Sequence, residues 1–351
     1  MKILSFLLFL LLTFTSAEAT IWRVNNTLSV PDQVDFNELI DAVASSEVAG
    51  GDTIYVEGSA TPYLGGIDVF KPLVIIGPSY FKSQPNLQPV ACDNLPATVL
   101  GDPGITFYSG GSGSMVTGMT LTSTAGSNSG AIHLVESSNI TITRNYLRGI
   151  YFSPGTFSNS NETNTITIHR NIICDEIYFA SYNTVNGLSI TNNLINSSID
   201  QNPSTSNGVI QQNLVIFNNN ITGSVEVEGA NIQYNYIGGT IWEYQDNSVV
   251  SLNLFQNSNS NNLAIVASDS TNEINGFVYQ EFPNCGNDNW QLQPQYLTTT
   301  HGAYNGLDPY YDLDDPISPA NLPAIPVIYE CDVPPVGDQT ITISVSVRGN
   351  N

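Results

Sequence analysis

The chain has 351 residues, 8 of them basic and 31 acidic, and its formal net charge at pH 7 is −23. This charge excludes a nucleic-acid binder, because such proteins need many lysine and arginine contacts with phosphate groups. It also excludes a polybasic membrane-surface patch. Since only 11% of the residues are charged, solubility must come from neutral polar groups. Frequent asparagine and threonine predict β-structure with many turns.

Residues 1–19 have the three parts of a signal peptide. Lys2 is the basic residue, an almost unbroken apolar run follows to Phe14, and Ala17-Glu18-Ala19 has the small-x-small form of a cleavage site. A single-pass anchor is the alternative, and it is disfavoured because the run is too short to span a bilayer. No later stretch is suited to cross a membrane. We therefore expect export, with a mature chain that begins at Thr20.

The four cysteines are widely spaced and include no Cys-x-x-Cys pair, so the sequence predicts neither a zinc site nor a redox motif. An oxidising compartment would allow three pairings. We favour a disulfide between Cys285 and Cys331, because both lie in the irregular C-terminal third, where a cross-link would help most. The alternative is that some cysteines remain small buried apolar residues.

Past the cleavage site, the sequence predicts an N-terminal cap over residues 20–50 that contains one helix. Asp35-x-x-Glu38 has the form of a capping box, and apolar residues follow at helical spacing as far as Val43. The helix is expected to end near Gly50. Short runs of β-branched and aromatic residues then predict strands at residues 52–56, 73–76 and 114–121.

The central third repeats a short pattern six times. Each copy has an aliphatic residue, two variable positions, an asparagine, one variable position and a large apolar residue, and the asparagines are Asn145, Asn171, Asn193, Asn219, Asn235 and Asn253. Their spacings of 26, 22, 26, 16 and 18 residues indicate the coils of a solenoid. Because equivalent residues of neighbouring coils stack about 4.8 Å apart, we expect these six side chains to form a hydrogen-bonded ladder.

These features resemble the right-handed parallel β-helix, or pectate-lyase-like, superfamily. The predicted helix before residues 51–58 looks like that superfamily's N-terminal cap and first coil, and residues 75–77 and 116–121 resemble its early coils. The resemblance implies an all-β solenoid over residues 51–265. More narrowly, residues 75–81 and 322–330 are similar to uncharacterised secreted β-helix proteins of Bacteroidetes-type bacteria. That likeness implies a bacterial protein that is secreted or held at the cell surface, and no known reaction.

Residues 266–351 differ from the repeats, since they lack the asparagine pattern, are rich in proline and end in an alternating strand at residues 340–348. We interpret them as a C-terminal β extension that caps the solenoid, whose last coil would otherwise expose its core and an unpaired edge. The competing interpretation is a separate small domain or the remnant of a surface-attachment module.

The sequence lacks the catalytic sets of the superfamily's best-known enzymes. Polygalacturonase-like members would bring a Gly-His-Gly and an Arg-x-Lys, which are absent, and the only lysines after the signal peptide are Lys71 and Lys82. We therefore expect a non-catalytic extracellular module that binds glycan or serves as a rigid surface scaffold. The alternative is a polysaccharide lyase or glycoside hydrolase with a non-standard site on the wall of the β-helix.

A basic cluster is the first candidate binding site, on two successive coils, and it consists of Arg144, Arg148, His169 and Arg170, with Tyr146 as an outward ring. Arg144 and Arg170 occupy the same repeat position, so they should stack. Two like charges held that close repel each other unless an anionic group lies between them. A sulfated or uronic-acid sugar would fit such a pair. The alternative is that the nearby acidic residues Glu162, Asp175 and Glu176 already pair with the cluster.

Two further groups of residues are candidates. Four carboxylates after the repeats suggest a calcium site, with a solvated acidic loop as the alternative, and they are Asp308, Asp312, Asp314 and Asp315. Aromatic residues recur along the solenoid and could hold sugar rings, with core stacking as the alternative; strand alternation directs Tyr146 and Tyr236 outward. The sequence predicts no cofactor other than calcium and no particular oligomeric state.

Overall fold

The computed structural model of the chain describes residues 19–28, 34–78, 95–122, 131–153, 162–180, 184–201, 210–243, 248–277, 301–302, 327–332 and 344–348. They form a right-handed parallel β-helix, as predicted. Each coil contributes to sheet A, then to sheet B and then to sheet C, with one strand per sheet except in one coil, where Ile210–Gln212 and Leu214–Phe217 both join sheet A. Sheet C has eight strands, so the described residues contain eight complete coils.

All pairing within the three long sheets is parallel. Sheet A has eleven strands, at Ile21–Val24, Thr53–Val56, Val74–Ile76, Met115–Thr117, Thr141–Thr143, Glu162–His169, Thr184–Thr191, Ile210–Gln212, Leu214–Phe217, Ala230–Gln233 and Val249–Ser251. Sheet B has ten, at Tyr63–Leu64, Thr98–Leu100, Thr120–Thr122, Tyr146–Leu147, Ile172–Ile173, Leu194–Ile195, Asn220–Ile221, Tyr236–Ile237, Leu254–Phe255 and Glu273–Ile274. Sheet C comprises Ile67–Val69, Ile105–Phe107, Ile132–Val135, Ile150–Ser153, Ile177–Phe179, Ile199–Gln201, Val225–Val227 and Ile241–Glu243.

A fourth sheet is antiparallel and pairs Val327–Asp332 with Ser344–Arg348. The second of these strands lies within the alternating run predicted at residues 340–348.

The inward side chains of the three sheets form one continuous apolar core. In six of the eight strands of sheet C the first and third residues are buried, as with Ile150 and Phe152, which are 1% and 0% exposed. Phe152 stacks on Phe179 of the next coil, with ring centroids 4.6 Å apart. Alternation with a period of two therefore directs the second residue of a sheet C strand away from the core.

Helix α1, Leu39–Ala44, packs its apolar face against the first coils and forms the N-terminal cap. The predicted capping box is wrong. Glu38 is the N-cap residue, and its side chain makes no capping hydrogen bond. The Asp35 carboxylate instead accepts from the backbone N–H of Arg23 at 2.7 Å, and that of Glu38 accepts from the backbone N–H of Leu64 at 3.1 Å. Both carboxylates tie the cap to neighbouring strands.

A second helix, α2, follows the last coil at Ser260–Ser268 and was not predicted. The side chain of Asn259 caps it by accepting from the backbone N–H of Asn262 at 2.9 Å. Ile265 is 5% exposed and packs on the core. The helix crosses the predicted boundary at residues 265 and 266. Among the described residues, no helix is long and apolar enough to cross a bilayer.

A ladder of buried asparagines runs along the corner between sheets A and B. In each step, Nδ2 of one asparagine lies 3.0–3.1 Å from Oδ1 of the next, from Asn145 through Asn171, Asn193, Asn219, Asn235 and Asn253 to a seventh member, Asn272. All seven are at most 1% exposed. The first member also accepts from the backbone N–H of Met119 at 3.0 Å. The ladder therefore satisfies a column of amides that would be costly to bury alone.

The residue before each of the first six of these asparagines has a left-handed backbone, as does Gly118 at the equivalent position of the preceding coil. Its φ lies between 54° and 69° at Gly118, Arg144, Arg170, Asn192, Asn218, Tyr234 and Leu252. This residue turns the chain from sheet A into sheet B. Glycine and asparagine adopt the conformation readily, whereas longer side chains do so at a cost of roughly 1–2 kcal/mol.

Leu252→Asn is expected to raise the free energy of unfolding by about 0.5–1 kcal/mol, because asparagine already occupies this position in two other coils and tolerates the left-handed backbone better than leucine. Urea unfolding followed by circular dichroism measures the change. Leu263→Asn is the matched control, since Leu263 is 52% exposed within helix α2. A gain at Leu263 equal to that at Leu252 would contradict the strain argument.

Candidate functional site

One row of outward residues on sheet C brings together rings and carboxylates from six successive coils. Parallel pairing aligns them directly above one another, in the order His133, Tyr151, Tyr178, Asp200, Glu226 and Trp242. We refer to these six residues as the sheet C strip. Because neighbouring strands lie about 4.8 Å apart, the strip is roughly 24 Å long and runs parallel to the axis of the β-helix.

The N-terminal half of the strip is an aromatic stack. The rings of Tyr151 and Tyr178 are nearly parallel, with centroids 5.2 Å apart and an angle of 13° between their planes. His133 lies against Tyr151 at 5.1 Å. In the two coils that precede His133, Phe70 and Tyr108 follow the sheet C strands and form a second stacked pair, with centroids 4.6 Å apart, and Phe70 is 62% exposed. This part of sheet C therefore offers flat apolar surfaces to the solvent.

The C-terminal half of the strip is acidic. Partial burial raises the pKa of Asp200, and the pKa of Glu226 is raised by its own burial and then by the charge of Asp200. Glu176 precedes the strand of Tyr178, and its pKa is also raised, first by burial and then by the charges of Asp175 and Asp200. Within the described residues, Oδ1 of Asp200 is buried and accepts no hydrogen bond. This half therefore has unused hydrogen-bonding capacity.

Two other members of the strip complete its chemistry. Burial lowers the pKa of His133, despite the opposing charge of Asp102, so this imidazole is neutral at pH 7. Its Nε2 is buried and has no hydrogen-bond partner in the described part of the chain. Trp242 ends the strip and is 44% exposed. The strip thus begins with the neutral imidazole of His133, which can donate or accept a hydrogen bond, and ends with the exposed indole of Trp242.

The strip contains no cationic side chain. Arg148 lies at the corner between sheets B and C, close to the strip, and its Nε is 3.7 Å from Oδ2 of Asp175. This ion pair is the alternative that the sequence had left open for Arg148. The charge presented by the strip is therefore negative at neutral pH, which favours ligands without negative charge.

The predicted basic cluster is only partly assembled. Arg144 and Arg170 stack in adjacent coils at the corner between sheets A and B, where the backbone N–H of Arg144 donates to the carbonyl of His169 at 3.2 Å. His169 Nδ1 lies 2.8 Å from Oγ1 of Thr191. Arg148 is separate, because it follows sheet B. The left-handed backbone explains why the two arginines share a corner, and both are half-buried.

The outer face of sheet B differs from the prediction. Tyr146 points outward and is half-buried. Tyr236 also points outward, but it is 0% exposed, so it is not available to a sugar. Phe277 covers it edge-on, with centroids 5.1 Å apart, and the backbone N–H of Gly302 donates to the carbonyl of Tyr234 at 2.7 Å. A segment that follows the repeats therefore covers this part of sheet B.

Other predicted sites are not assembled in the described residues. Asp308, Asp312, Asp314 and Asp315 lie outside those residues, and the part of the chain that is described holds no cluster of three or more acidic, histidine or cysteine side chains suited to a metal. Cys174 is disulfide-bonded. Cys285 also lies outside the described residues, so its pairing with Cys331 stays a prediction.

No family model, curated protein or solved structure matches the chain. The sheet C strip is therefore the candidate site that the geometry of the described residues supports best. The aromatic residues that recur along the solenoid sequence include Tyr151, Tyr178 and Trp242, whereas Asp200 and Glu226 were not predicted. A signal was present, because Tyr178, Asp200, Glu226 and Trp242 each follow a ladder asparagine by seven positions.

Asp200→Asn is expected to stabilise the protein at pH 8 and to have little effect near pH 4. Burial raises the pKa of Asp200 above its usual 3.8, so the folded protein carries an unfavourable charge at any pH above the raised pKa. Asparagine removes that charge, and the gain disappears as the pH falls through the raised pKa towards 3.8. The measurement is the urea midpoint as a function of pH.

Asp269→Asn is the control of opposite sign. Hydrogen bonds from the backbone N–H and the hydroxyl of Thr271 lower the pKa of Asp269. Its replacement should therefore destabilise the protein at neutral pH, with a loss that shrinks as the pH falls through the lowered pKa. If the effect of Asp200→Asn does not depend on pH, the account of this carboxylate is wrong.

Proposed function

We propose that this chain is an extracellular glycan-binding protein whose sheet C strip holds a neutral polysaccharide. The observation that carries the proposal is the continuity of the strip, in which the stacked rings of Tyr151 and Tyr178 lead directly to the carboxylates of Asp200 and Glu226. Aromatic faces suit the apolar faces of pyranose rings. Carboxylates accept hydrogen bonds from sugar hydroxyl groups, and such charge-assisted bonds are the stronger ones.

The geometry of the strip favours an extended polysaccharide ligand over a single sugar. The coil spacing of about 4.8 Å is comparable to the length of one pyranose unit, so successive sugars could contact successive coils along the axis. The charge favours a neutral glycan, because the strip is acidic, the whole chain carries −23, and Arg148 lies next to Asp175. A uronic-acid or sulfated polymer would be repelled by Asp200 and Glu226.

The predicted signal peptide supports an extracellular role. The signal peptide features of residues 1–19 and the resemblance to secreted β-helix proteins of Bacteroidetes-type bacteria both favour a location outside the cell or at its surface. A long, rigid β-helix would present the strip without needing to close around a ligand. A scaffold that binds no sugar is the competing role, and the binding screen described next separates the two.

The proposal is tested by affinity gel electrophoresis of chain 20–351 through gels that contain neutral or acidic polysaccharides, with calcium and with chelator. The expected result is retardation by at least one neutral polysaccharide, independent of calcium, and none by uronate or sulfated polymers. Retardation by acidic polymers that is lost in the variant with Arg144→Ala and Arg170→Ala would move binding to the corner of sheets A and B. If no gel retards the protein, the glycan-binding proposal is wrong and the competing role as a scaffold remains.

Glycoside hydrolysis is a second candidate, favoured by the adjacent positions of Asp200 and Glu226. Hydrolases use two carboxyl groups, one of which has a raised pKa and donates a proton to the leaving oxygen, and retaining enzymes hold them about 5–5.5 Å apart. Neighbouring strands are separated by a similar distance. Incubation of every retarding polysaccharide with the protein, followed by reducing-end analysis, tests this. New reducing ends that are absent with Glu226→Gln would favour the enzyme.

A further inference from the structure

Asp52 is the one buried acidic side chain among the described residues, at 3% exposed. Its carboxylate accepts three hydrogen bonds, each 2.8 Å long. Oδ1 accepts from the backbone N–H of Thr20, and Oδ2 accepts from Nε1 of Trp22 and from the backbone N–H of Ala49. Burial alone would raise the pKa of Asp52, but these hydrogen bonds, together with the charge of Lys71, outweigh it and lower the pKa. Asp52 is therefore buried and ionised at neutral pH.

The first of these donors lies at the predicted cleavage site. The sequence Ala17-Glu18-Ala19 places the scissile bond between Ala19 and Thr20, whose nitrogen is the atom that contacts Asp52. Both residues that flank this bond are exposed. The carbonyl of Thr20 accepts from the backbone N–H of Thr53 at 2.9 Å. Thr20 is thus held on both sides, while Ala19 before it is exposed at the surface.

We propose that Asp52 is the binding site for the mature N-terminus, which export creates at Thr20. A signal peptidase hydrolyses the Ala19–Thr20 peptide bond with one water molecule, so Ala19 leaves with a carboxylate and Thr20 gains an ammonium group. The neutral amide donor at Oδ1 of Asp52 thereby becomes a cation at the same position. An ion pair replaces an ordinary hydrogen bond.

The local electrostatics make this replacement favourable. Before cleavage, all three groups that donate to Asp52 are neutral. The nearby cation, Lys71, points its Nζ at the carbonyls of Ser45 and Val48, at 2.5 and 2.6 Å. The cost of burying Asp52 is already present in the uncleaved chain, so a new positive charge beside it adds attraction with little further desolvation.

The ion pair would anchor an edge of the fold. Thr20 leads directly into Ile21–Val24, the first strand of sheet A, which pairs with Thr53–Val56 on one side and ends the sheet on the other. Trp22 of that strand donates to the same carboxylate. Cleavage would therefore fasten the strand that closes the N-terminal end of the β-helix, and the mature protein would be more stable than its precursor.

The test compares chains that differ by one residue. One chain begins at Thr20 and the other at Ala19, each released from a fusion by a protease that leaves no extra residues. The second chain keeps the Thr20 N–H and moves the ammonium group one residue away. We expect the unfolding equilibrium constant in urea to be about tenfold larger for the Ala19 chain, because a charged hydrogen bond contributes more than a neutral one. Equal stabilities would overturn the proposal.

Asp52→Asn provides the second arm of the test. In this background the tenfold difference between the two chains is expected to shrink to within about twofold, and a difference that persists would show that it does not act through Asp52. If the variant does not fold, the Thr20 chain is acetylated at its N-terminus, which keeps the N–H and removes the charge. The acetylated chain should match the Ala19 chain. If it instead equals the free Thr20 chain, the ion pair is excluded.

The cleavage site is tested separately, on the full chain exported from a bacterial host. Intact mass spectrometry of the exported protein is expected to give the mass of residues 20–351. A different N-terminus, or an uncleaved chain, would overturn the proposal. Neither experiment involves glycan binding, so this inference and the proposed function can fail independently.

Discussion

Asn193→Ala is expected to lower the free energy of unfolding by about 3–5 kcal/mol, the largest loss that we predict for a single substitution. The Nδ2 of Asn193 lies 2.9–3.0 Å from the carbonyls of Ile168 and Thr191 and 3.0 Å from Oδ1 of Asn219. Its Oδ1 accepts from the backbone N–H and from Nδ2 of Asn171, at 2.9 and 3.0 Å. Alanine would leave several fully buried groups without partners.

Urea unfolding measures this loss, and two variants calibrate it. Asn272→Ala removes the last rung of the ladder, which has a neighbour on one side only, so it should cost about 1–2 kcal/mol. Asn37→Ala changes an exposed asparagine outside the ladder and should stay within about 0.5 kcal/mol of the unsubstituted chain. A loss below 1 kcal/mol for Asn193→Ala would mean that the ladder is not a main source of stability.

Tyr151→Ala and Tyr178→Ala are each expected to weaken binding of a retarding neutral polysaccharide about tenfold. Each change removes one flat ring from the stack of the sheet C strip, and a contact of this kind contributes about 1.4 kcal/mol when it is lost. Isothermal titration calorimetry gives the affinities. Tyr151→Phe and Tyr178→Phe keep the rings, so they should bind within about threefold of the unsubstituted chain.

Tyr146→Ala is the matched control for these variants, since Tyr146 is also an outward, half-buried tyrosine, on sheet B of the coil that contains Tyr151. It should leave the affinity unchanged. If Tyr146→Ala weakens binding while Tyr151→Ala and Tyr178→Ala do not, the ligand lies on the face formed by sheet B and the arginine corner.

The coils were predictable because the sequence repeats the same pattern of apolar residues around an asparagine. Each of the first six ladder asparagines is preceded by an inward aliphatic residue and followed by an inward apolar one, so the spacing of these asparagines marks the coils directly. The seventh rung, Asn272, was missed because helix α2 lies between it and Asn253, and the aliphatic residue three positions before it is replaced by Asp269. The sixfold pattern had no reason to extend across that interruption.

The sheet C strip was only partly predictable. Alternation identifies Tyr151 and Tyr178 as outward residues, but it assigns the same direction to Tyr236, which is buried beneath Phe277 and the backbone at Gly302. A period of two indicates which way a side chain points and says nothing about what later covers it. Burial by a distant segment of the chain is a tertiary property.

The predicted basic cluster was also only partly correct, because it grouped residues by their closeness in the sequence. Repeat positions correctly placed Arg144 and Arg170 in one column, because both precede a ladder asparagine. Arg148 follows Asn145 by three residues. The chain between them forms the sheet B strand Tyr146–Leu147 and then turns a corner, so Arg148 faces another side of the coil, next to Asp175. Closeness in sequence therefore grouped side chains that the turns of the coil separate.

Hydroxyl-radical footprinting of the protein saturated with a retarding polysaccharide tests whether the glycan binds on sheet C. Oxidation of Tyr151, Tyr178 and Trp242 is expected to fall severalfold on binding, while oxidation of Tyr146 and His169 stays as it is in the free protein. Protection of Tyr146 and His169, with the sheet C rings oxidised as fast as before, would contradict binding on sheet C.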